Sequence, residues 1–396
     1  MVSNLFGMKK SHVVALFLLS ALSFSCSSKQ VATTASAPLR KDTAAMVEAS
    51  NAASLRLMQT VCAAQTDETV WLSPFSVQSA LMPLHMGAAG HTAEELRPLM
   101  TSLALKNNNQ LQVASALWIQ PNFEPYTAYL DACRAKKMDL FIETIRAAKV
   151  NAWAAEHTNN KITEVLSEPL PPNLEMLIAN AVYFRADWEN PFRERFTHTE
   201  PFYPRSGAAQ EVKMMTQKEH YNYFRNNTFA ALSVPYRPAD DGKQYCLQII
   251  LPEKSSSVDE VLASLSTETL KQIAEQETYK KVRLTLPKLE LRYARMLNED
   301  LQNLGMKHAF SPGKADFRHI AATRLYVGLV KQDSYLRMDE EGTEAAAVTT
   351  VLVRATAMPQ QEEVIDFHVN RPYLLLIRDM ASGLILFTGK IEKITK

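Results

Sequence analysis

The chain has 396 residues, 46% of them hydrophobic and 21% charged, enough apolar material for a large core, which excludes a disordered polypeptide. A net charge of +1, with both signs mixed along the chain, leaves no electrostatic footprint for nucleic acid.

The first segment reads as an address. Lys9, Lys10 and His12 precede an apolar run from Val13 to Leu22, too short to span a bilayer and laid out as a secretory signal. The run ends in "SFSC", which resembles the lipobox of bacterial lipoproteins, although Ser23 and Phe24 are not its commonest residues. On that resemblance residues 1–25 are a signal peptide and Cys26 is acylated. The chain is then exported and anchored at a bacterial outer membrane, facing the periplasm or the cell surface. The plainer reading is cleavage near Ser25 and secretion. Residues 26–43 are polar and small and read as a flexible tether. No linker-like stretch interrupts residues 44–396, which are expected to form one domain.

Apolar residues at helical spacing predict helices over Met46 to Cys62, Ala147 to Leu166 and Val258 to Ala274. Strands are predicted at "LQVASALWIQ" from Leu111, "MLIANAVYF" from Met176, "YCLQIIL" from Tyr245, "VRLTLPKLEL" from Val282 and "YLLLIRD" from Tyr373. In the fourth the apolar phase slips beside Pro287, the pattern of a bulge or an edge. Helical blocks mixed with long strands, without a steady βαβ rhythm, give an α+β class. Cys62, Cys133 and Cys246 have no short spacing and read as small buried hydrophobes, one disulfide among them remaining open.

The sequence has no G-x-S-x-G elbow, H-E-x-x-H pair, phosphate loop or dinucleotide fingerprint, so nothing in it supports an enzyme, a cofactor or a metal. His85 and His91 flank "HMGAAGH", where a helix end and a turn explain the glycines better than a metal does.

"LSPFSVQSALMPLHMGAAGHTAEEL" from Leu72 resembles the segment that opens the conserved core of the serpin family of protease inhibitors. "NAWAAEHTNNKI" at Asn151, "NAVYFRADWENPF" at Asn180, "VKMM" at Val212, "LQNLGMKHAF" at Leu301, "ADF" at Ala315 and "NRPYLLLIRD" with "ILFTGKI" follow in the family's order. Seven matches in register over residues 44–396 are specific, although each alone is weak. The resemblance implies three β-sheets, about eight or nine helices and an exposed reactive loop.

"DEEGTEAAAVTT", from Asp339, resembles the hinge of that loop: Glu340, Glu341, Gly342, Thr343, Glu344, Ala345, Ala346, Ala347, Val348 and Thr349. Local propensity favours a helix over the alanines; the family implies a strand that enters the large sheet after cleavage. In that strand Thr343, Ala345, Ala347, Thr349 and Val351 share a face free of charge, and Glu344 points outward. Gly342 would absorb the backbone rotation, and Val348, bulkier than the hinge ideal, also points outward. Fourteen residues past Gly342 the scissile bond falls between Thr356 and Ala357, which suits elastase-like enzymes; Arg354, for trypsin-like enzymes, and Met358 are alternatives, because the interval to Arg371 is a few residues longer than usual.

Ser73, Ser76 and Asn180 match the family's polar shutter, and Trp188 its breach; core packing and helix capping are their plainer roles. Gln332 stands where a histidine is usual, which puts a histidine-linked pH response of opening in doubt. The implied function is suicide inhibition of serine proteases, extending to papain-like cysteine proteases, by a monomer that is not an enzyme. The alternative is a non-inhibitory serpin acting as carrier, chaperone or surface-binding module.

Overall fold

The computed structural model describes residues 41–343, except 171 and 173, and residues 362–394. Cys26, the hinge beyond Thr343 and the scissile-bond candidates Arg354, Thr356, Ala357 and Met358 lie outside the described residues.

Nine strands form the largest sheet. Its order is Val70–Leu72, Ile385–Ile391, Tyr373–Asp379, Tyr245–Pro252, Phe229–Pro235, Gln210–Arg225, Thr278–Pro287 and Ile365–His368, with His198–Phe202 also paired to Gln210–Arg225. The central members carry unbroken apolar runs because both faces are covered: every residue of Tyr245–Pro252 and Ile385–Ile391 is buried. A three-stranded sheet orders Asp139–Ile142, Leu111–Ile119 and Met176–Phe184, and a four-stranded sheet orders Leu289–Met296, Lys331–Met338, Gly342–Thr343 and Ala186–Asp187. With eight α-helices among the described residues, the architecture is α+β with three sheets, as the resemblance implied.

The two smaller sheets are halves of one surface. Met176–Phe184 leads directly into Ala186–Asp187, and Arg185 N–H donates to Gln110 C=O across the join. Below the join, among the described residues, no backbone hydrogen bond links Lys331–Met338 to Met176–Phe184. The seam between these two strands is the feature on which the functional site is built.

Several elements depart from the periodicity reading. The helix expected to reach Leu166 is Ala147–His157; Asn159 and Asn160, at φ 49° and 59°, adopt the left-handed conformation that asparagine tolerates, and they turn the chain out of the helix. The helix expected over Val258 to Ala274 is two, Val258–Ser264 and Thr267–Gln276, because Ser266 caps the second by accepting from Thr269 N–H. The phase slip at Pro287 marks a change of sheet, and the strand after it, Leu289–Met296, lies at an edge of the four-stranded sheet. Thr278–Pro287 belongs to the nine-stranded sheet and Leu289–Met296 to the four-stranded one, so the chain changes sheets at Lys288. The first helix, Lys41–Ala64, takes in three residues read as tether, with Asp42 in its first turn where the helix dipole favours a carboxylate.

Cys62, Cys133 and Cys246 are buried and free. Burial pushes the Cys62 and Cys246 thiols up to about 12, which makes them poor nucleophiles.

Candidate functional site

The site begins at a helix end. In Pro74–Gly87 proline takes the first turn, where a missing N–H costs nothing, and Ser73 caps it by accepting from Ser76 N–H at 3.3 Å. The Ser73 hydroxyl also donates to Leu386 C=O at 2.9 Å, which ties the turn to the Ile385–Ile391 strand.

From this turn the structure reaches both sides of the seam. Gln332 Nε2, on Lys331–Met338, donates to Ser73 C=O at 2.6 Å. Ser76 Oγ donates to Asn180 Oδ1 at 2.6 Å, and Asn180 Nδ2 continues to Ser115 Oγ at 2.8 Å and Ala114 C=O at 3.1 Å. The predicted shutter residues therefore come together, with Ser115 as a member that sequence reading missed. Gln332 and Asn180 do not bond to each other directly, and Gln332 Oε1 is buried without a hydrogen-bond partner among the described residues.

The opposite face of the seam is covered by the segment after Ala147–His157. Asn159 Nδ2 donates to Tyr183 Oη at 3.3 Å, Lys331 Nζ to Val165 C=O at 3.1 Å, and the Lys161 ammonium lies 5.3 Å from the centre of the Tyr335 ring. A narrow crevice between them is lined by Ile162, Val182, Phe184 and Tyr335.

At the top the seam is closed by the hinge itself. Thr343 pairs with Met338 on one side and with Ala186 on the other, both antiparallel, and Gly342 pairs with Asp187. These two residues form a short strand between Lys331–Met338 and Ala186–Asp187. Thr343 is 3% exposed, and its hydroxyl shares a 2.6 Å hydrogen bond with Tyr236 Oη. Burial raises the Tyr236 phenol far above its ordinary value, against the smaller lowering effect of that hydrogen bond, so it keeps its proton. A Cβ on Gly342 would lie 2.2 Å from Ala186 C=O and 2.7 Å from Asp187 Cα. Close approach of two backbones, rather than an unusual φ, is what demands glycine here.

Trp188 organises this end. It is fully buried, stacks on Tyr236 at 4.6 Å and 8°, donates from Nε1 to Asp339 C=O at 2.9 Å and from its backbone N–H to Glu341 C=O at 2.8 Å. Such a stacked pair contributes about 0.5–1.5 kcal/mol beyond its buried area. Phe192 N–H takes Glu340 C=O at 2.8 Å. The Glu340 carboxylate accepts from Thr197 Oγ1 at 2.7 Å and from Lys288 Nζ at 2.6 Å. Lys288 sits where the chain changes sheets, so the phase slip beside Pro287 was its only trace in the sequence. Tyr236 and Thr197 left none.

Burial alone would raise the Glu340 carboxyl, but the hydrogen bonds from Lys288 and Thr197 outweigh it and hold the group below the ordinary glutamate value of 4.5. A carboxylate whose pKa falls on folding adds stability that is present above its unfolded value and is lost as pH drops through the lower folded one. Glu340→Gln is therefore expected to cost about 1–2 kcal/mol at neutral pH, measured by chemical denaturation, and progressively less below about pH 4. A loss of equal size at both pH values would show that the ion pair is not the cause.

The family model described as serpin (serine protease inhibitor) matches residues 48–394. An uncharacterized serpin-like protein from Thermococcus kodakarensis is 32% identical over 355 residues, covering 83% of this chain and 81% of its own. The leukocyte elastase inhibitor of Homo sapiens is 28% identical over 357 residues, covering 82% and 92%. Among solved structures, the thermophilic serpin tengpin in its native state is similar at a TM-score of 0.79 and 26% identity, covering 90% of this chain and 96% of that one. Together with a seam closed at its top by the hinge, these matches place the chain in the serpin family.

Proposed function

We propose that the chain inhibits serine-type endopeptidases as a suicide substrate: a protease cuts the loop after Gly342–Thr343, and the loop then enters the seam as a new strand before the acyl-enzyme hydrolyses. The observation that carries this reading is the hinge geometry. Gly342 and Thr343 lie between Lys331–Met338 and Ala186–Asp187, at the mouth of a seam that has no backbone pairing below it among the described residues. Relatives named as inhibitors add support, among them the leukocyte elastase inhibitor and the plasminogen activator inhibitor 1 of Sus scrofa, 29% identical over 370 residues.

An inserted strand that continued both pairings of Thr343 downward would keep one register. Continued antiparallel from Met338↔Thr343, Gln332 meets Thr349; continued from Thr343↔Ala186, Asn180 meets Thr349 as well. The inserted strand would thus bring a hydroxyl between the two shutter amides, where Gln332 Oε1 lacks a partner. About a dozen inserted residues, at roughly 0.5–1.5 kcal/mol net per hydrogen bond, yield on the order of ten kcal/mol. That rivals the roughly 5–15 kcal/mol stability of a whole fold, so the uncut form is kinetically trapped and cleavage releases it.

The scissile bond in this reading is Thr356–Ala357, with Arg354 and Met358 as further cleavage positions, and the targets are elastase-like or trypsin-like serine proteases and papain-like cysteine proteases. The leader and Cys26 make the protein an exported bacterial lipoprotein, tethered as a monomer at the outer membrane. Catalysis belongs to the protease.

Mixing the protein with elastase-like and trypsin-like proteases should leave a covalent band on a denaturing gel. Cleavage fragments alone would favour a carrier, chaperone or surface-binding role. Thr343→Arg places a charge in a fully desolvated position and should convert the inhibitor to a substrate, with the covalent band lost and cleavage retained; undiminished inhibition would refute the inward register. Thr349→Val should lower the stability of the cleaved form by about 0.5–1.5 kcal/mol in guanidinium while leaving the uncut form unchanged. Equal stability of the two cleaved proteins would refute the placement of Thr349 at the shutter.

A further inference from the structure

In the sequence His91 pairs with His85 across "HMGAAGH", but the fold gives it another neighbour. His85 Nε2 is buried without a hydrogen-bond partner among the described residues. His91 stands on the surface in the short helix Gly90–Leu96, its side chain 80% exposed. The histidine beside it is His308, at the start of the turn His308–Phe310, with ring centres 5.6 Å apart and ring planes tilted by 32°.

Each ring is held by its own carboxylate, and through the same nitrogen. His308 Nδ1 lies 2.5 Å from Glu95 Oε1, while Glu95 Oε2 accepts from the backbone N–H groups of Lys307 and His308 at 2.8 and 2.7 Å. His91 Nδ1 lies 3.0 Å from Glu94 Oε2. Burial alone would raise the Glu95 carboxyl, but the hydrogen bonds from His308 and Lys307 outweigh it and hold the group below the ordinary value of 4.5, so it is an anion with no proton to donate. In a neutral imidazole so placed, the proton sits on Nδ1 toward the carboxylate and the lone pair is left on Nε2. A histidine whose other nitrogen is fixed by a carboxylate is the arrangement that metal-ligating histidines have.

We propose that His91 and His308 form a two-histidine site for a divalent transition-metal ion of the zinc class, which braces the Gly90–Leu96 helix to the turn at His308. Two imidazoles that bind one tetrahedral ion through Nε2, at about 2.0–2.1 Å, have ring centres roughly 5 Å apart. The observed 5.6 Å lies close to that, within a small rotation of the exposed His91 side chain. Among the described residues no group of three or more histidine, cysteine, aspartate or glutamate side chains gathers as a metal site, so the protein supplies two ligands and water completes the shell. Imidazole suits zinc, copper and nickel, whereas magnesium and calcium take oxygen ligands. Glu94 and Glu95 place two negative charges behind the ligands, and Lys307, next to His308 in the chain, is the opposing cation. The helix and the turn come from distant parts of the chain, so an ion shared between them binds the folded form and not the unfolded one, and raises its stability.

The site is independent of the proposed function and is tested without a protease. Zinc chloride is titrated by isothermal calorimetry into the intact protein, free of any affinity tag. One saturable binding event per chain should appear, with none for magnesium chloride at the same concentrations. Glu95→Gln, which keeps both ligands and removes the anion behind one of them, should weaken binding about tenfold, the lower end of what loss of such a carboxylate costs. His91→Ala, which removes a ligand from an exposed position and leaves the core untouched, should weaken it by more. Zinc should also raise the thermal midpoint of the wild-type protein and leave that of His91→Ala unchanged. Absence of saturable zinc binding, equal binding of magnesium, or zinc binding by His91→Ala as tight as that of the wild type would overturn the proposal.

Discussion

Two hydrogen bonds from the first turn of one helix hold the halves of a sheet beside each other. Ser73 C=O receives Gln332 from one strand, and Ser76 Oγ reaches Asn180 on the other. Because no backbone ladder crosses the seam among the described residues, side chains carry a job that elsewhere in a sheet belongs to the main chain. Each such bond contributes only about 0.5–1.5 kcal/mol net. The seam is therefore closed by groups that can be exchanged for other partners, whereas a ladder of main-chain bonds would have to be broken.

The two ends of the seam differ in kind. At the top, Trp188 stacked on Tyr236 forms an apolar plate against which Thr343 is buried, and three main-chain carbonyls from Asp339 to Glu341 are taken by Trp188 and Phe192. Negative charge stays on the outer side, where Lys288 and Thr197 receive the Glu340 carboxylate. Below, the crevice is bridged by contacts from Asn159, Lys161 and Val165. The same arrangement explains why Gly342 has no substitute: a side chain there would collide with the backbone of Ala186 and Asp187.

Much of the site was legible before any coordinates. Ser73 reads as a cap because proline follows it, and the strand around Asn180 reads from its β-branched and aromatic residues. Tyr236 and Thr197 were invisible, and Lys288 showed only as the phase slip beside it, since each acts through a partner more than 50 residues away. Periodicity also failed in instructive places. Val282 to Leu291 looks like one strand with a slip, yet the slip is where the chain leaves one sheet for another, and a pattern of period two cannot name the sheet on which each half packs. The helix from Ala147 stops at His157 because two asparagines turn it, although apolar residues continue at helical spacing beyond.

The sequence by itself determined the class of the fold and most of its long strands, because these depend on spacing and side-chain size along a local stretch. Only the tertiary structure decided that Gly342 and Thr343 are held between Lys331–Met338 and Ala186–Asp187, and that Gln332 and Asn180 both answer to one helix turn. Those facts depend on which distant segments are brought within hydrogen-bonding distance, and burial, rather than local propensity, sets what each such contact is worth.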